Sequence, residues 1–175
     1  MGKKVKCNLD AIELLVLDVD GVLTDGQLIV HGDGSESKCF HTLDGHGIRL
    51  WQRAGGTTAL LSGRYSEATQ RRADQLEIAH VIQDCHFKLP ALQKLIEVLH
   101  LKPERVAYVG DDLPDLPAIR FVGLGVAPAN AVDEVKQEAD YVTTRRGGQG
   151  AVREAIEYIL KNSGRWQALM ERYLA

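Results

Sequence analysis

ELLVLDVDGVLTDG, residues 13–26, decides the fold. Leu14 to Leu17 are four apolar residues in a row, not an alternating set, and a strand of that kind is buried on both faces, as in a parallel sheet covered by helices. The run ends abruptly in Asp18, Asp20 and Gly21, so charge sits where the strand leaves the core. Working outward, TTALLS (57–62), HVIQ (80–83), RVAYVG (105–110), VGLGVA (122–127) and DYVT (140–143) read as further strands. Stretches 45–54, 66–76, 88–99, 112–119, 130–137 and 150–161 carry apolar residues at three-to-four spacing and predict helices between them. Strand and helix alternate, which predicts a three-layer, Rossmann-like α/β fold whose ligand site lies at the carboxyl ends of the strands. One segment breaks the rhythm. Residues 27–41, two short apolar pieces around HGDGSE, read as a β-hairpin inserted after the first strand, where a lid would sit. The tail 163–175 places Trp166, Leu169, Met170 and Tyr173 on one helical stripe, the pattern of a helix docked on the domain's own surface. No repeat or linker divides residues 1–175, so a single domain without a cap is expected.

Composition narrows the partners. With 24 acidic and 21 basic residues the formal charge is −3, which gives no general attraction to nucleic acid or to an anionic membrane. An anionic substrate must then be held by a local cluster. Cys7, Cys39 and Cys85 are widely spaced and odd in number, against a disulfide framework or a structural zinc site, and point to a reducing cytoplasm. The charged start MGKKVKCN is not followed by the apolar run of a signal peptide, and Lys6 does not suit a myristoylation motif. No run is apolar for long enough to span a bilayer. GLGVAP (123–128) lacks the third glycine of a dinucleotide fingerprint, and His41 and His46 read as loop hydrogen-bonding residues, not as a metal pair.

Two acidic clusters follow predicted strands: Asp18 and Asp20 after the first, and Asp111, Asp112 and Asp115 after RVAYVG. Carboxylates converging at one sheet edge repel unless a cation or a shared proton intervenes. Magnesium suits that role, since it takes hard oxygen ligands and commonly uses one or two carboxylates beside a phosphate. Either cluster taken alone equally fits carboxylates that cap helices. Ser62-Gly63-Arg64 follows the second strand and opens a helix, a place where backbone N–H groups bind anions. Lys88, at the start of another predicted helix, places an ammonium within reach of the strand ends.

In order, DVDGVLTDG, LLSGR, Lys88 and GDDLPD resemble the four motifs of the haloacid dehalogenase superfamily phosphatases. That resemblance implies Asp18 as nucleophile and Asp20 as acid and base. It implies magnesium held by Asp18, the Asp20 carbonyl and Asp111, phosphoryl oxygens held by Ser62 and Lys88, and Asp112 and Asp115 behind them. The interval of about 25 residues between the serine and lysine motifs leaves no room for a cap. KCFHTLDGHGIRL (38–50), LLSGRYSEATQRRADQL (60–76) and GGQGAVREAIEYIL (147–160) are further similar to the small tetrameric phosphatases acting on 3-deoxy-D-manno-octulosonate 8-phosphate in lipopolysaccharide precursor synthesis. Carried over, this places Thr24, Gly26, Asp44, Gly45, Gly47, Gly63, Arg64 and Arg72 in or near a sugar-acid pocket, some across a subunit boundary of a homotetramer. An arginine there would grip the sugar's carboxylate through paired hydrogen bonds. Two other readings stay open. One is a phosphatase for a related acid such as 2-keto-3-deoxynononate 9-phosphate, and the other is a phosphoacceptor switch that is read by a partner and not turned over.

Overall fold

The computed structural model describes residues 8–174; Cys7 and most of the charged amino-terminal stretch lie outside them. Strands β1 (Leu14–Leu17), β4 (Thr57–Leu61), β5 (His80–Ile82), β6 (Val106–Val109), β7 (Leu124–Ala127) and β8 (Tyr141–Val142) form one sheet in the order β5-β4-β1-β6-β7-β8. Every pairing is parallel, and β1 lies between β4 and β6, with Leu17 level with Leu60 on one side and Val109 on the other. The first apolar run is thus the sheet's centre, as its lack of alternation requires.

Successive residues of β1 feed two different cores. Leu15 and Leu17 pack with Ile48 and Trp51 of α1 (Thr42–Arg53), Ala73 of α2 (Glu67–Gln75) and Val152, Ile156 and Ile159 of α6 (Ala151–Asn162). Leu14 and Val16 pack with Leu92, Leu95 and Ile96 of α3 (Lys88–Val98), Ala118 and Ile119 of α4 (Leu116–Phe121) and Val135 of α5 (Asp133–Glu138). These are the two outer layers of the expected three-layer fold.

Helix boundaries differ from the periodicity at three places, each for a local reason. The first helix starts at Thr42, ahead of 45, because the His41 imidazole accepts the Leu43 N–H and caps it. The stretch 112–119 divides into a 3-10 turn, Leu113–Asp115, and α4, because Asp112 and Asp115 form a capping box around the turn. The fifth helix starts at Asp133, since the Asn130 side chain is engaged in the tertiary hydrogen bonds described below. The inserted hairpin is present but small: β2 (Ile29–Val30) pairs antiparallel with β3 (Glu36–Ser37), apart from the main sheet. The tail forms α7 (Trp166–Leu174), with Trp166 and Leu169 against the α1–α6 core and Arg53 donating to the Tyr173 hydroxyl at 2.8 Å. Among the described residues no helix is long and apolar enough to cross a membrane.

Candidate active site

Four strand ends converge on one cleft. Asp18 follows β1, Ser62 follows β4, Lys88 opens α3 after β5, and Asp111 follows β6. The cleft has a volume of about 460 Å³ and is lined by these four residues with Asp20, Gly26, Leu28, Gly63, Arg64, Cys85, His86, Asp112, Pro114 and Asp115. A hollow of similar size, about 400 Å³, lies at the amino end of β4 beside Arg49, Gln52, Arg53 and Glu77, where Arg49 is already paired with Glu77. Only the first contains an acidic cluster.

The floor of the cleft is a buried ionic network. Lys88 Nζ lies 2.9 Å from Asp18 Oδ1 and 2.6 Å from Asp115 Oδ1. Asp115, fully buried, also accepts the Tyr108 hydroxyl at 2.7 Å and the backbone N–H groups of Asp111 and Asp112 at 3.1 and 3.3 Å. Its oxygens are therefore committed to the protein. Asp18, Asp111 and Asp115 offer carboxylate oxygens within 4.8 Å of one another, and the buried Oδ1 of Asp111 has no hydrogen-bond partner. Burial, then the charge of Asp115, pushes Asp18 up to about 8 despite Lys88 beside it. The same two causes in the same order push Asp111 up to about 7. Burial works against the Lys88 charge, but Asp18 and Asp115 outweigh it and hold the ammonium above its ordinary range. An orphaned carboxylate oxygen beside two crowded acids fits a divalent cation, which would offset both raised acids. Asp18 and Asp111 have side chains to give it, whereas Asp115 orients Lys88.

Close backbone approach makes this possible. Gly21 has φ +86°, and a Cβ there would sit 2.0 Å from Asp111 Oδ2. Thr24 Oγ1 accepts from Gly21 N at 3.3 Å and Gly26 N at 3.2 Å, closing the loop after Asp20. Asn130 Nδ2 donates to the Gly21 carbonyl at 2.9 Å, and its Oδ1 accepts from Gly147 N at 2.6 Å. The late glycine loop is thereby fastened to the loop that carries Asp20.

The wall toward the hairpin has a different character. The Asp20 carboxylate lines the cleft but stands outside the close acidic cluster, and it accepts a hydrogen bond from Lys38 Nζ. Arg64 Nε stands 3.8 Å from Asp20 Oδ2, and its NH2 lies 3.0 Å from Glu36 Oε2. Ser62, almost fully buried, donates its hydroxyl to the Arg64 carbonyl at 3.0 Å, which shapes the turn below the guanidinium.

Five residues read as pocket-forming do other work within the chain. Thr24 is buried in the loop just described. Asp44 accepts from Gly150 N at 3.2 Å and Arg153 N at 2.8 Å, and so holds the first turn of α6. Gly47 admits α6 closely, since a Cβ would meet Arg153 Cδ at 3.0 Å. Gly45 admits the Arg72 guanidinium, which packs 5.8 Å over the Phe40 ring instead of entering the cleft. Sequence reasoning also missed Lys38, Glu36 and Tyr108. Glu36 and Lys38 are two apart on an extended segment and so share a side, a signal that was there to use; Tyr108 reads as core from its apolar strand.

A buried lysine between two carboxylates, with a free carboxylate oxygen beside them at the carboxyl edge of a parallel sheet, is the apparatus of a phosphohydrolase. The family profile of haloacid dehalogenase-like hydrolases matches residues 75–156. The chain is 43% identical over 161 residues, 92% of its own length and 86% of the relative's, to the 3-deoxy-D-manno-octulosonate 8-phosphate phosphatase KdsC of Escherichia coli. Among solved structures, the Moraxella catarrhalis 3-deoxy-D-manno-octulosonate 8-phosphate phosphatase, in complex with magnesium, phosphate and KDO, matches with TM-score 0.92 and 41% identity over 94% of this chain and 95% of that one. A probable YrbI family phosphatase from Pseudomonas syringae matches with TM-score 0.94 and 51% identity over 95% of each chain. The chain belongs to the 3-deoxy-D-manno-octulosonate 8-phosphate phosphatase family of haloacid dehalogenase-like hydrolases.

Proposed function

We propose that the chain, folded as a single phosphatase domain, hydrolyses 3-deoxy-D-manno-octulosonate 8-phosphate to the free sugar acid and phosphate through an aspartyl-phosphate on Asp18. The observation that carries this is the Lys88 ammonium shared between Asp18 and Asp115 beside the unpartnered Asp111 oxygen. A carboxylate nucleophile splits one slow displacement into two faster ones. In the first, an Asp18 oxygen bonds to phosphorus, the bond from phosphorus to the sugar oxygen breaks, and Asp20 gives its proton to the departing alkoxide. In the second, water attacks phosphorus, Asp20 takes the water's proton, and the bond to Asp18 breaks. Lys88 and the Ser62 hydroxyl hold phosphoryl oxygens, with the Gly63 N–H beside them, since Ser62 N and Arg64 N already donate to the Ile82 carbonyl and the Ser62 hydroxyl. Magnesium, held by the carboxylates of Asp18 and Asp111 and the Asp20 carbonyl, neutralises phosphoryl charge when bound. Asp112 and Asp115 stand behind these ligands, and Arg64 pairs with the sugar's carboxylate.

The cleft is open, and apolar side chains stand exposed around it: Leu28, Ile29 and Val30 on the hairpin, Tyr65, and Phe87 at 80% exposure. Such a rim supports a homo-oligomer, which we read as the tetramer of the resembling enzymes, in which Thr24, Asp44, Gly45, Gly47 and Arg72 lie near a pocket shared between subunits. The balanced charge and dispersed cysteines support a cytoplasmic protein. The deciding experiment is steady-state phosphate release from a panel of sugar phosphates with magnesium, with and without chelator. Preference for the octulosonate ester, lost with chelator and reduced by at least about 10³-fold in Asp18→Asn, is expected. Preference for the nononate ester reassigns the substrate, and no turnover on any ester overturns the reading in favour of a phosphoacceptor switch.

A further inference from the structure

Lys38 is the least expected residue of the site. It follows β3, and its side chain is only 2% exposed. Burying an ammonium costs several kcal/mol unless its partners compensate. Two carboxylates do so: Asp20 Oδ1, to which Nζ donates, and Glu36 Oε1 at 3.5 Å. The neighbouring cation divides its attention differently, because Arg64 is closer to Glu36 (3.0 Å) than to Asp20 (3.8 Å). Four charges of alternating sign thus surround the end of the hairpin, and within it Lys38 makes its hydrogen bond to Asp20 and stands 3.5 Å from Glu36 Oε1. Among the described residues Asp20 has no comparable hold on the other side, since Lys88 is shared by Asp18 and Asp115.

We infer that Lys38 is a positioning residue for the Asp20 carboxylate, so that the hairpin, through this one ammonium, sets where the acid–base group of the cleft stands. This rests on the reading of Asp20 as acid and base given above. The ammonium holds Asp20 Oδ1, and Oδ2 is left 3.8 Å from Nε of Arg64, which lines the cleft. Proton transfer needs the carboxyl within hydrogen-bond reach of the departing oxygen, and a misplacement of about 1 Å can cost on the order of 10²-fold in rate. A lysine that merely anchored the hairpin would leave the rate-limiting half-reaction unchanged, and that difference can be measured.

The test compares esters with good and poor leaving groups. A sugar alkoxide needs a proton to depart, whereas p-nitrophenolate does not, so Asp20 matters to both half-reactions of the sugar ester but only to aspartyl-phosphate hydrolysis with the aryl ester. Lys38→Met is expected to lower kcat on the sugar phosphate by about 10–100-fold with little change in KM. With p-nitrophenyl phosphate in a stopped-flow instrument it should release one p-nitrophenolate per active site in a fast burst before a slow steady state. Asp20→Asn should do the same, and the double variant should be no worse than Asp20→Asn alone. A rise confined to KM, no burst, or losses that multiply in the double variant would overturn the inference. Should Lys38→Met not fold, Lys38→Arg keeps the charge and moves the donor. A smaller loss with the burst supports positioning, and wild-type turnover on both esters reduces Lys38 to an anchor. Asp20→Asn that keeps full turnover and shows no burst sinks the acid–base reading itself, a result distinct from any outcome at Lys38.

Discussion

The floor and the wall of the cleft are built on opposite principles. The floor, Asp18, Lys88, Asp115 and Tyr108, is buried and cross-linked, each group fixed by partners from two strand ends and a helix start. The wall, Asp20, Arg64, Glu36 and Lys38, is assembled from the loops after β1 and β4 and from a hairpin of two-residue strands, and the Arg64 side chain is 49% exposed. What the two share is alternation of charge; what separates them is the cost of disturbing it. Phosphoryl chemistry needs preorganised charge that does not relax during reaction, and only the buried network supplies it. Recognition of the rest of the substrate tolerates a looser scaffold and can change without touching the core. The difference predicts that floor substitutions cost fold and rate together, while wall substitutions largely spare the fold and act on proton transfer, through Asp20 and Lys38, or on substrate binding, through Arg64.

The largest effect should come from Lys88→Met. Removing the ammonium leaves the buried Asp115 carboxylate without its cation, a class of change that costs about 3–5 kcal/mol. Urea unfolding should show that loss together with near-complete loss of activity, and a variant of native stability would mean that the floor is not a coupled unit. Next comes the coupling of metal to protons. Because Asp18 and Asp111 are held up to about 8 and about 7, the folded metal-free protein keeps protons that the unfolded chain has released above its ordinary carboxyl value of 3.8. The unfolded state then binds fewer protons, so metal-free stability should fall as pH rises from about 4 to about 8. Magnesium competes with those protons, so its stabilisation, about 2.7 kcal/mol at a hundred times its dissociation constant, should grow over the same range. Melting temperatures with and without chelator at low and high pH test this, and a magnesium shift independent of pH breaks the argument.

A wall substitution should behave otherwise. Arg64→Ala removes a half-exposed guanidinium paired with Glu36, so its effect on stability should be small. If the guanidinium binds the sugar carboxylate, kcat/KM should fall by about 10–100-fold, the value of a charged hydrogen bond, mostly through KM. Steady-state kinetics decide, and an equal drop in kcat would move Arg64 from the wall to the floor.

That division also explains what could be read in advance. The strands at 14–17, 57–61, 106–109 and 124–127 were legible to within one or two residues because burial on both faces leaves them almost wholly apolar, apart from the two threonines that open 57–61 and the Tyr108 hydroxyl. Asp18, Ser62 and Asp111 could be placed because each follows such a run within two residues, and Lys88 because it opens a periodic helix, so position along the chain and position in space coincide. The wall was not, because Lys38 reaches Asp20 across 18 residues only after the hairpin folds back. Asp44 and Arg72 came from resemblance, which places a residue near a site without saying what it touches. In this chain one holds the start of α6 and the other fills the space that Gly45 leaves. Asn130 was counted as a helix residue, yet its two hydrogen bonds to Gly21 and Gly147 are tertiary and leave no periodic trace.

Glycine substitutions give the smallest and cleanest contrast between the two regions. A Cβ on Gly147 would lie 1.8 Å from the Gly21 carbonyl oxygen, against backbone that cannot turn aside. Gly147→Ala must therefore push the late loop off the Asp20–Gly21 loop and strain the Asn130 bridge, an overpacking cost of about 1–3 kcal/mol. Gly32, in the hairpin turn, has nothing within 4 Å of the same added atom. Gly32→Ala should stay within about 0.5 kcal/mol of the parent. Chemical denaturation of the two variants side by side, with phosphate release from p-nitrophenyl phosphate as the second readout, separates the regions without altering any charge. Equal effects would show that the hairpin turn is as tightly built as the loop that carries Asp20, and the contrast between fixed backbone around the chemical centre and an adjustable hairpin would then fail.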